Sequence, residues 1–185
     1  MQTGPEKRPF DDAITLSWIG LTAAASAGSN LALACAMPFA ALAVIAATRL
    51  RVLDGMALVA LAWVQNQAIG YLLLGYPRTP SSFTWGAMIG VAALAGFWAA
   101  KGVAGTMRGN QLLSAALSLV AAFAAYQITL FAATAFLPSG PRAFAPGVVL
   151  QIFAVNGAAM LVLTGIHALT GRLGVAPRAP TLRLA

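Results

Sequence analysis

Residues 53–75, LDGMALVALAWVQNQAIGYLLLG, form an apolar stretch long enough to cross a bilayer as a helix. About 20 predominantly apolar residues are needed to span a hydrocarbon core roughly 30 Å thick. The acidic residue Asp54 lies near the start of the stretch, and the amide triplet Gln65, Asn66 and Gln67 lies near its middle. This stretch therefore predicts a membrane-spanning helix that carries uncharged polar groups at mid-depth.

Five further apolar stretches predict additional spans, at residues 13–29, 30–50, 83–105, 111–137 and 146–170. Turn-forming segments separate them, including Gly28-Ser29-Asn30 and the proline-containing loops 76–80 and 138–142. Proline in these loops blocks continuation of a helix. The sequence predicts an all-α, polytopic membrane protein, in which residues 1–185 form one bundle of six transmembrane helices. Residues 13–50 also fit one long span followed by an interfacial segment.

The composition excludes most soluble functions. Of the 185 residues, 60% are hydrophobic and 8% are charged, and the mean hydropathy is +0.83, whereas a soluble domain carries about 25% charged residues. A single cysteine excludes an intrachain disulfide framework and a Cys-based zinc site. One histidine and four acidic residues leave little for acid–base catalysis. We therefore expect no resident metal or cofactor and no enzymatic activity.

The charge distribution predicts the orientation. With a cytoplasmic N-terminus, nine of the 11 basic residues fall inside and two fall outside, the two being Arg78 and Arg142. Cytoplasmic loops are enriched in Lys and Arg, so both termini are predicted to be cytoplasmic. The net charge of +7 then reflects topology, and nucleic-acid binding is not needed to explain it. The inside residues are Lys7, Arg8, Arg49, Arg51, Lys101, Arg108, Arg172, Arg178 and Arg183.

An alternative interpretation of the N-terminus is a cleaved signal peptide. Lys7-Arg8, an apolar run and Ala25-Ser26-Ala27 resemble its charged region, apolar region and cleavage site. The adjacent acidic residues Asp11 and Asp12 do not suit such a charged region. The other five spans would keep the same orientation after cleavage.

The polar residues within the spans are uncharged, and they suggest a binding pocket. No Asp, Glu, Lys or Arg lies in the middle of a span, so the buried ionisable relay of proton- or ion-coupled carriers is missing. Amides and aromatic rings concentrate instead in the outer half of several spans, where they suit an uncharged, hydrogen-bonding ligand. The candidate substrate-binding residues are Gln65, Asn66, Gln67, Tyr71, Trp85, Tyr126, Gln127, Gln151 and Asn156.

Each of these residues also has a structural interpretation. Amides in membrane helices often bridge neighbouring helices, and rings at the interface, such as Trp85, often form an aromatic belt. Cys35, in the second span, is interpreted as a small buried apolar residue or as a soft ligand to a metal carried by the substrate. Small residues on the first span, including Ala23 and Ala27, permit close helix packing or docking of a partner.

This layout resembles the substrate-binding S subunits of energy-coupling-factor (ECF) vitamin transporters. The resemblance implies six helices, an outward-facing pocket, a bacterial inner-membrane location and an A-x-x-x-A contact with a transmembrane coupling subunit, here Ala23 and Ala27. Within the family, residues 63–71, WVQNQAIGY, with Tyr76-Pro77 are most similar to solitary, cobalamin-capturing members. A cysteine that can ligate the corrinoid cobalt is associated with that subgroup.

These observations lead to one principal functional hypothesis and two alternatives. The principal hypothesis is capture of a vitamin-sized molecule, with cobalamin or a related corrinoid as the first candidate. The chain has no phosphate-binding G-x-x-x-x-G-K-[ST] loop, so partner ATPases would supply the energy. The first alternative is a structural or assembly subunit of a larger membrane complex without a small-molecule ligand. The second is an integral membrane enzyme, which would need a nucleophile–base pair, a metal triad or paired acids.

Overall fold

A computed structural model describes residues 16–17, 19–20, 22, 37–106, 110–139 and 143–172. The regular structure of these residues is entirely helical. The helices with defined bounds are α1 (Phe39–Arg49), α2 (Val52–Leu72), α3 (Pro80–Thr106), α4 (Gln111–Ala133) and α5 (Pro146–Arg172). Residues 16, 17, 19, 20 and 22 are also helical, within the predicted span 13–29, the rest of which lies outside the described residues.

Four of these helices, α2 to α5, are long and apolar enough to cross a membrane. Their bounds overlap the predicted spans 53–75, 83–105, 111–137 and 146–170. Large apolar side chains point away from the bundle on each of the four, a pattern that is unfavourable in water and suits lipid. These features indicate a membrane protein. Examples of such outward side chains are Val64, Trp98, Ile128 and Leu161.

Helix α1 is short and central. Its 11 residues extend about 16 Å at 1.5 Å per residue, roughly half the length of α2, which has 21 residues. Every residue from Phe39 to Ala47 is buried, and α1 packs against all four longer helices. The hydrophobic core is therefore centred on α1.

The helix inside the predicted span 30–50 begins later than the sequence suggests. Met37 and Pro38 are not helical, and the first helical residue is Phe39. A proline at this position lacks an N–H and disfavours helical geometry in the residue before it. Helix α1 therefore begins at about half the height of the bundle. Residues 30–36 lie outside the described part of the chain.

The two ends of the bundle differ in charge. Arg49, Arg51 and Lys101 lie at the end where α1 leads into α2 and where α3 terminates, and we call this the basic end. Lys101 donates from Nζ to the carbonyl oxygen of Ala47 at 2.9 Å, near the C-terminus of α1. A cation at this position offsets the partial negative charge of the helix terminus.

Glycines allow the helices to approach closely at defined points. A Cβ added at Gly96 of α3 would lie 3.0 Å from the carbonyl oxygen of Ala122 in α4. One added at Gly90 would meet the indole ring of Trp63 from α2, and one at Gly55 would meet the ring of Phe97. Gly96 therefore sets the separation of α3 and α4, as small residues do in membrane bundles.

Replacing Gly96 by valine is expected to destabilise the bundle by about 1–3 kcal/mol, because the added atoms overpack the α3–α4 contact. Gly102→Val is the matched control on the same helix, since no atom lies within 4 Å of a Cβ there. Thermal unfolding of both variants in detergent, followed by tryptophan fluorescence, measures the difference. Equal melting temperatures would contradict the role given to Gly96.

Candidate functional site

A cavity lies beyond the N-terminus of α1, between that terminus and the end of the bundle opposite the basic end. It has a larger lobe of about 350 Å³ and a smaller lobe of about 230 Å³. The two lobes are adjacent, because they share the same five lining residues at their junction. The shared residues are Met37, Phe39, Trp85, Ile89 and Tyr126.

The larger lobe is mainly apolar. Phe123 and Leu130 of α4 and Ile152 of α5 line it. The connection between α4 and α5 also lines this lobe, through Pro138 and Phe144 among others. The indole Nε1 of Trp85 donates to the carbonyl oxygen of Pro138 at 3.0 Å, which ties that connection to α3. Trp85 thus positions the wall of the larger lobe as well as lining it.

The smaller lobe is rich in amides and hydroxyls. Gln67 donates from Nε2 to Asn66 Oδ1 at 3.1 Å, which links two neighbouring side chains of α2. The hydroxyl of Tyr71 and that of Ser82 are 3.0 Å apart, and either one can be the donor. The ring of Tyr71 also stacks on Phe83, with centroids 4.9 Å apart. These contacts hold the polar groups of the smaller lobe in place.

The N-terminus of α1 forms the floor of the cavity, where Phe39 and Ala40 line the larger lobe. The first N–H groups of a helix lack intrahelical acceptors and carry partial positive charge. One of them, from Ala41, donates to Asn156 Oδ1 at 3.1 Å. Asn156 itself donates from Nδ2 to the carbonyl oxygen of Ile152 at 2.9 Å. The oxygen of this amide therefore joins α5 to α1, while its nitrogen is bonded within α5.

The structure brings most of the predicted binding residues together, although they come from α2, α3, α4 and α5. Tyr126 sits at the junction of the lobes and stacks on Phe39 with centroids 5.8 Å apart. The Nε2 atom of Gln127 is buried and has no hydrogen-bond partner among the described residues. The predicted residues that line the cavity are Asn66, Gln67, Tyr71, Trp85, Tyr126, Gln127 and Asn156.

Two predicted binding residues do not line either lobe. Gln151 is exposed on the outside of α5, and Gln65 is half-buried away from the cavity. The Oε1 atom of Gln65 is buried without a hydrogen-bond partner among the described residues. The predicted partner-contact residues Ala23 and Ala27 and the candidate metal ligand Cys35 lie outside the part of the chain that the structure describes.

The sequence reasoning missed the apolar and backbone parts of the cavity. Phe39 and Ala40 come directly after Pro38. This proline inside an apolar span was the sequence feature that indicated a helix start there. Non-helical backbone at membrane depth is tolerated where it is buried in protein or lines a cavity. Phe123 and Ile152 gave no comparable signal, because they look like any other core residue.

The described lining residues of both lobes are apolar, aromatic or uncharged polar. Among the described residues, no lining side chain of either lobe is an acid, a histidine or a basic residue, and no group of three or more His, Cys, Asp or Glu side chains could hold a metal. The available contacts are hydrogen bonds from amides and hydroxyls together with apolar and aromatic surface. No family model, curated protein or solved structure matches the chain.

Asn156→Leu is expected to destabilise the protein by about 1–3 kcal/mol, because it leaves the buried N–H of Ala41 without its acceptor. Gln151→Leu removes an amide five positions away that faces out of the bundle, and it should leave the melting temperature unchanged. Thermal unfolding in detergent compares the two variants. A melting temperature of Asn156→Leu equal to that of the unaltered chain would overturn the capping role of Asn156.

Proposed function

We propose that the protein is a membrane-embedded capture subunit for uptake of a vitamin-sized, uncharged molecule. The cavity is the observation that carries this proposal, because it combines uncharged hydrogen-bonding groups with aromatic walls. Its larger lobe of about 350 Å³ is within the range of small-molecule sites, roughly 300–1,000 Å³. The fixed positions of the Asn66–Gln67 pair and of the Tyr71 ring also favour recognition of a ligand.

The proposed topology has six spans with both termini in the cytoplasm of a bacterial cell. The basic end, with Arg49, Arg51 and Lys101, then faces the cytoplasm, as expected from the enrichment of basic residues on that side. The cavity is near the opposite end and faces outward. In this arrangement the N-terminal segment supplies the first span and leads to α1, which returns to the cytoplasmic side from mid-depth.

The dimensions of the cavity bear on the identity of the ligand. Compact vitamins with one or two rings fit lobes of about 350 and 230 Å³. A corrinoid, the candidate suggested by the resemblance to cobalamin-capturing S subunits, is considerably larger than such vitamins. It would enter only in part unless the helices move apart, so corrinoids and compact vitamins are both included in the binding test.

Energy for uptake would come from partner proteins in this proposal. The sequence has no phosphate-binding loop of the G-x-x-x-x-G-K-[ST] type, and its spans carry no charged residue at mid-depth. A coupling subunit with associated ATPases would therefore reorient the loaded protein. Ala23 and Ala27 are the proposed contact residues for the coupling subunit.

A structural or assembly subunit of a larger membrane complex is the second candidate. The amide of Asn156 favours it, because its oxygen joins α5 to α1 and its nitrogen is bonded within α5. In that case the remaining amides would also stabilise packing, and the purified protein would show no saturable binding of small molecules.

Calorimetric titration of the detergent-purified protein with a vitamin panel, corrinoids included, is expected to show one saturable ligand. Asn66→Leu should weaken its binding about tenfold, since one hydrogen bond is worth about 0.5–1.5 kcal/mol. The melting temperature should change less than the affinity does. Gln151→Leu is the matched control and should bind normally. A folded protein that binds nothing on the panel would favour the structural-subunit alternative.

Cysteine labelling tests the proposed orientation. In a Cys35→Ala background, Arg78→Cys places a thiol in the loop between α2 and α3, and Gly105→Cys places one at the basic end of α3. A membrane-impermeant maleimide added to intact spheroplasts is expected to label the first variant and not the second. Labelling of Gly105→Cys alone would show that the orientation is reversed.

A further inference from the structure

The linked amides of the smaller lobe leave one donor and one acceptor without a partner among the described residues. Gln67 Nε2 donates to Asn66 Oδ1, which uses one polar atom of each side chain. The atoms that remain are Asn66 Nδ2, a donor, and Gln67 Oε1, an acceptor. Neither makes a hydrogen bond with another described residue. Both side chains line the smaller lobe, and Asn66 is 94% buried, with a relative exposure of 6%.

This pairing does not depend on how the amides are oriented. Oxygen and nitrogen of an amide are assigned from the hydrogen-bond network. If both side chains were turned around, Asn66 would donate to Gln67, and the remaining atoms would be an oxygen on Asn66 and a nitrogen on Gln67. In either orientation, one donor and one acceptor remain unpaired on two side chains that line the smaller lobe.

We propose that the smaller lobe recognises an uncharged amide edge of the ligand, namely a carboxamide, lactam or ureido group, and that the larger lobe receives an apolar ring. This inference rests on the proposed capture function. An amide edge carries a carbonyl oxygen next to an N–H, so it satisfies Asn66 Nδ2 and Gln67 Oε1 at the same time. An ether has no donor for Gln67 Oε1, and a hydroxyl can serve both atoms only by bridging them through its single oxygen.

The uncharged lining of the two lobes disfavours head groups that carry a charge, such as a carboxylate or an ammonium group. Within the described part of the chain, the lining residues include no Lys, Arg or His to pair with a carboxylate and no Asp or Glu to pair with an ammonium group. Burying an unpaired charge costs far more than burying an uncharged amide that is hydrogen-bonded. The N-terminus of α1 offers partial positive charge, but the N–H of Ala41 is already bonded to Asn156.

The residues at the junction of the two lobes limit the shapes of ligand that can occupy both lobes. Phe39 and Tyr126 stack on each other there and line both lobes. A ring in the larger lobe contacts this pair together with Phe123, while a head group on a short linker reaches the smaller lobe. The ligand class is therefore an apolar ring that carries a neutral amide edge.

Three probes of similar size test this inference in the full-length, detergent-purified protein, namely indole-3-acetamide, indole-3-acetate and 3-ethylindole. In calorimetric titrations, the amide is expected to bind at least tenfold more tightly than the other two. Asn66→Leu and Gln67→Met should each reduce amide binding to the level of 3-ethylindole, whereas Gln151→Leu should leave it unchanged. Thermal unfolding identifies any variant that fails to fold. The comparison of the three probes on the unaltered protein tests the inference even if a variant does not fold.

Equal affinities for the three probes, or tighter binding of the carboxylate, would overturn the inference. The vitamin panel separates this failure from that of the proposed function. Saturable binding of a panel compound without an amide edge, while indole-3-acetamide does not bind, overturns the amide assignment and leaves the capture function in place. If neither the panel nor the probes bind to the folded protein, both proposals fail.

Discussion

The structure depends on a helix that starts inside the bundle instead of at its surface. Backbone groups in a membrane have no water to bond to, so each one needs a protein partner or a polar cavity. Helix α1 begins directly after Pro38, and its first N–H groups lack intrahelical acceptors. These groups therefore need partners from elsewhere in the protein. The side-chain oxygen Oδ1 of Asn156, on α5, accepts a hydrogen bond from one of them, the N–H of Ala41. Since α1 spans only half the height of α2, the space beyond its N-terminus becomes the cavity.

The packing around α1 explains why so short a helix is stable. Its residues from Phe39 to Ala47 are buried on every side, and several of them are alanines, which let the surrounding helices approach closely. Lys101 donates near its C-terminus and Asn156 accepts near its N-terminus, so both ends have polar partners from other helices. The long helices bury one face against α1 and present apolar side chains outward, which divides the bundle into a protein-facing core and a lipid-facing surface.

The sequence was sufficient to predict the four long helices and to select most of the amide and aromatic residues that line the cavity, because hydropathy and residue depth depend only on position along the chain. It did not resolve which face of a helix each amide occupies. Gln151 and Asn156 are separated by about 140° around α5, at 3.6 residues per turn, so only one of them faces the cavity. In the same way, Asn66 and Gln67 line the smaller lobe and Gln65 does not. The start of α1 at Phe39 depends on the tertiary fold, and only Pro38 indicated it.

The amides that line the cavity differ in how many of their polar atoms are hydrogen-bonded to other groups of the protein. Asn156 accepts at its oxygen from Ala41 of α1 and donates from its nitrogen to Ile152 of its own helix. Both of its polar atoms therefore have partners within the fold, even though it lines the larger lobe. Asn66 and Gln67 use one atom each on their mutual bond. Proximity to a cavity is therefore a weaker guide to ligand recognition than the polar atoms that remain unpaired after the fold is complete. By that criterion the proposed ligand recognition depends on Asn66 and Gln67 of α2 and on Gln127 of α4, whose buried Nε2 has no partner among the described residues, while Asn156 of α5 supports the floor of the cavity.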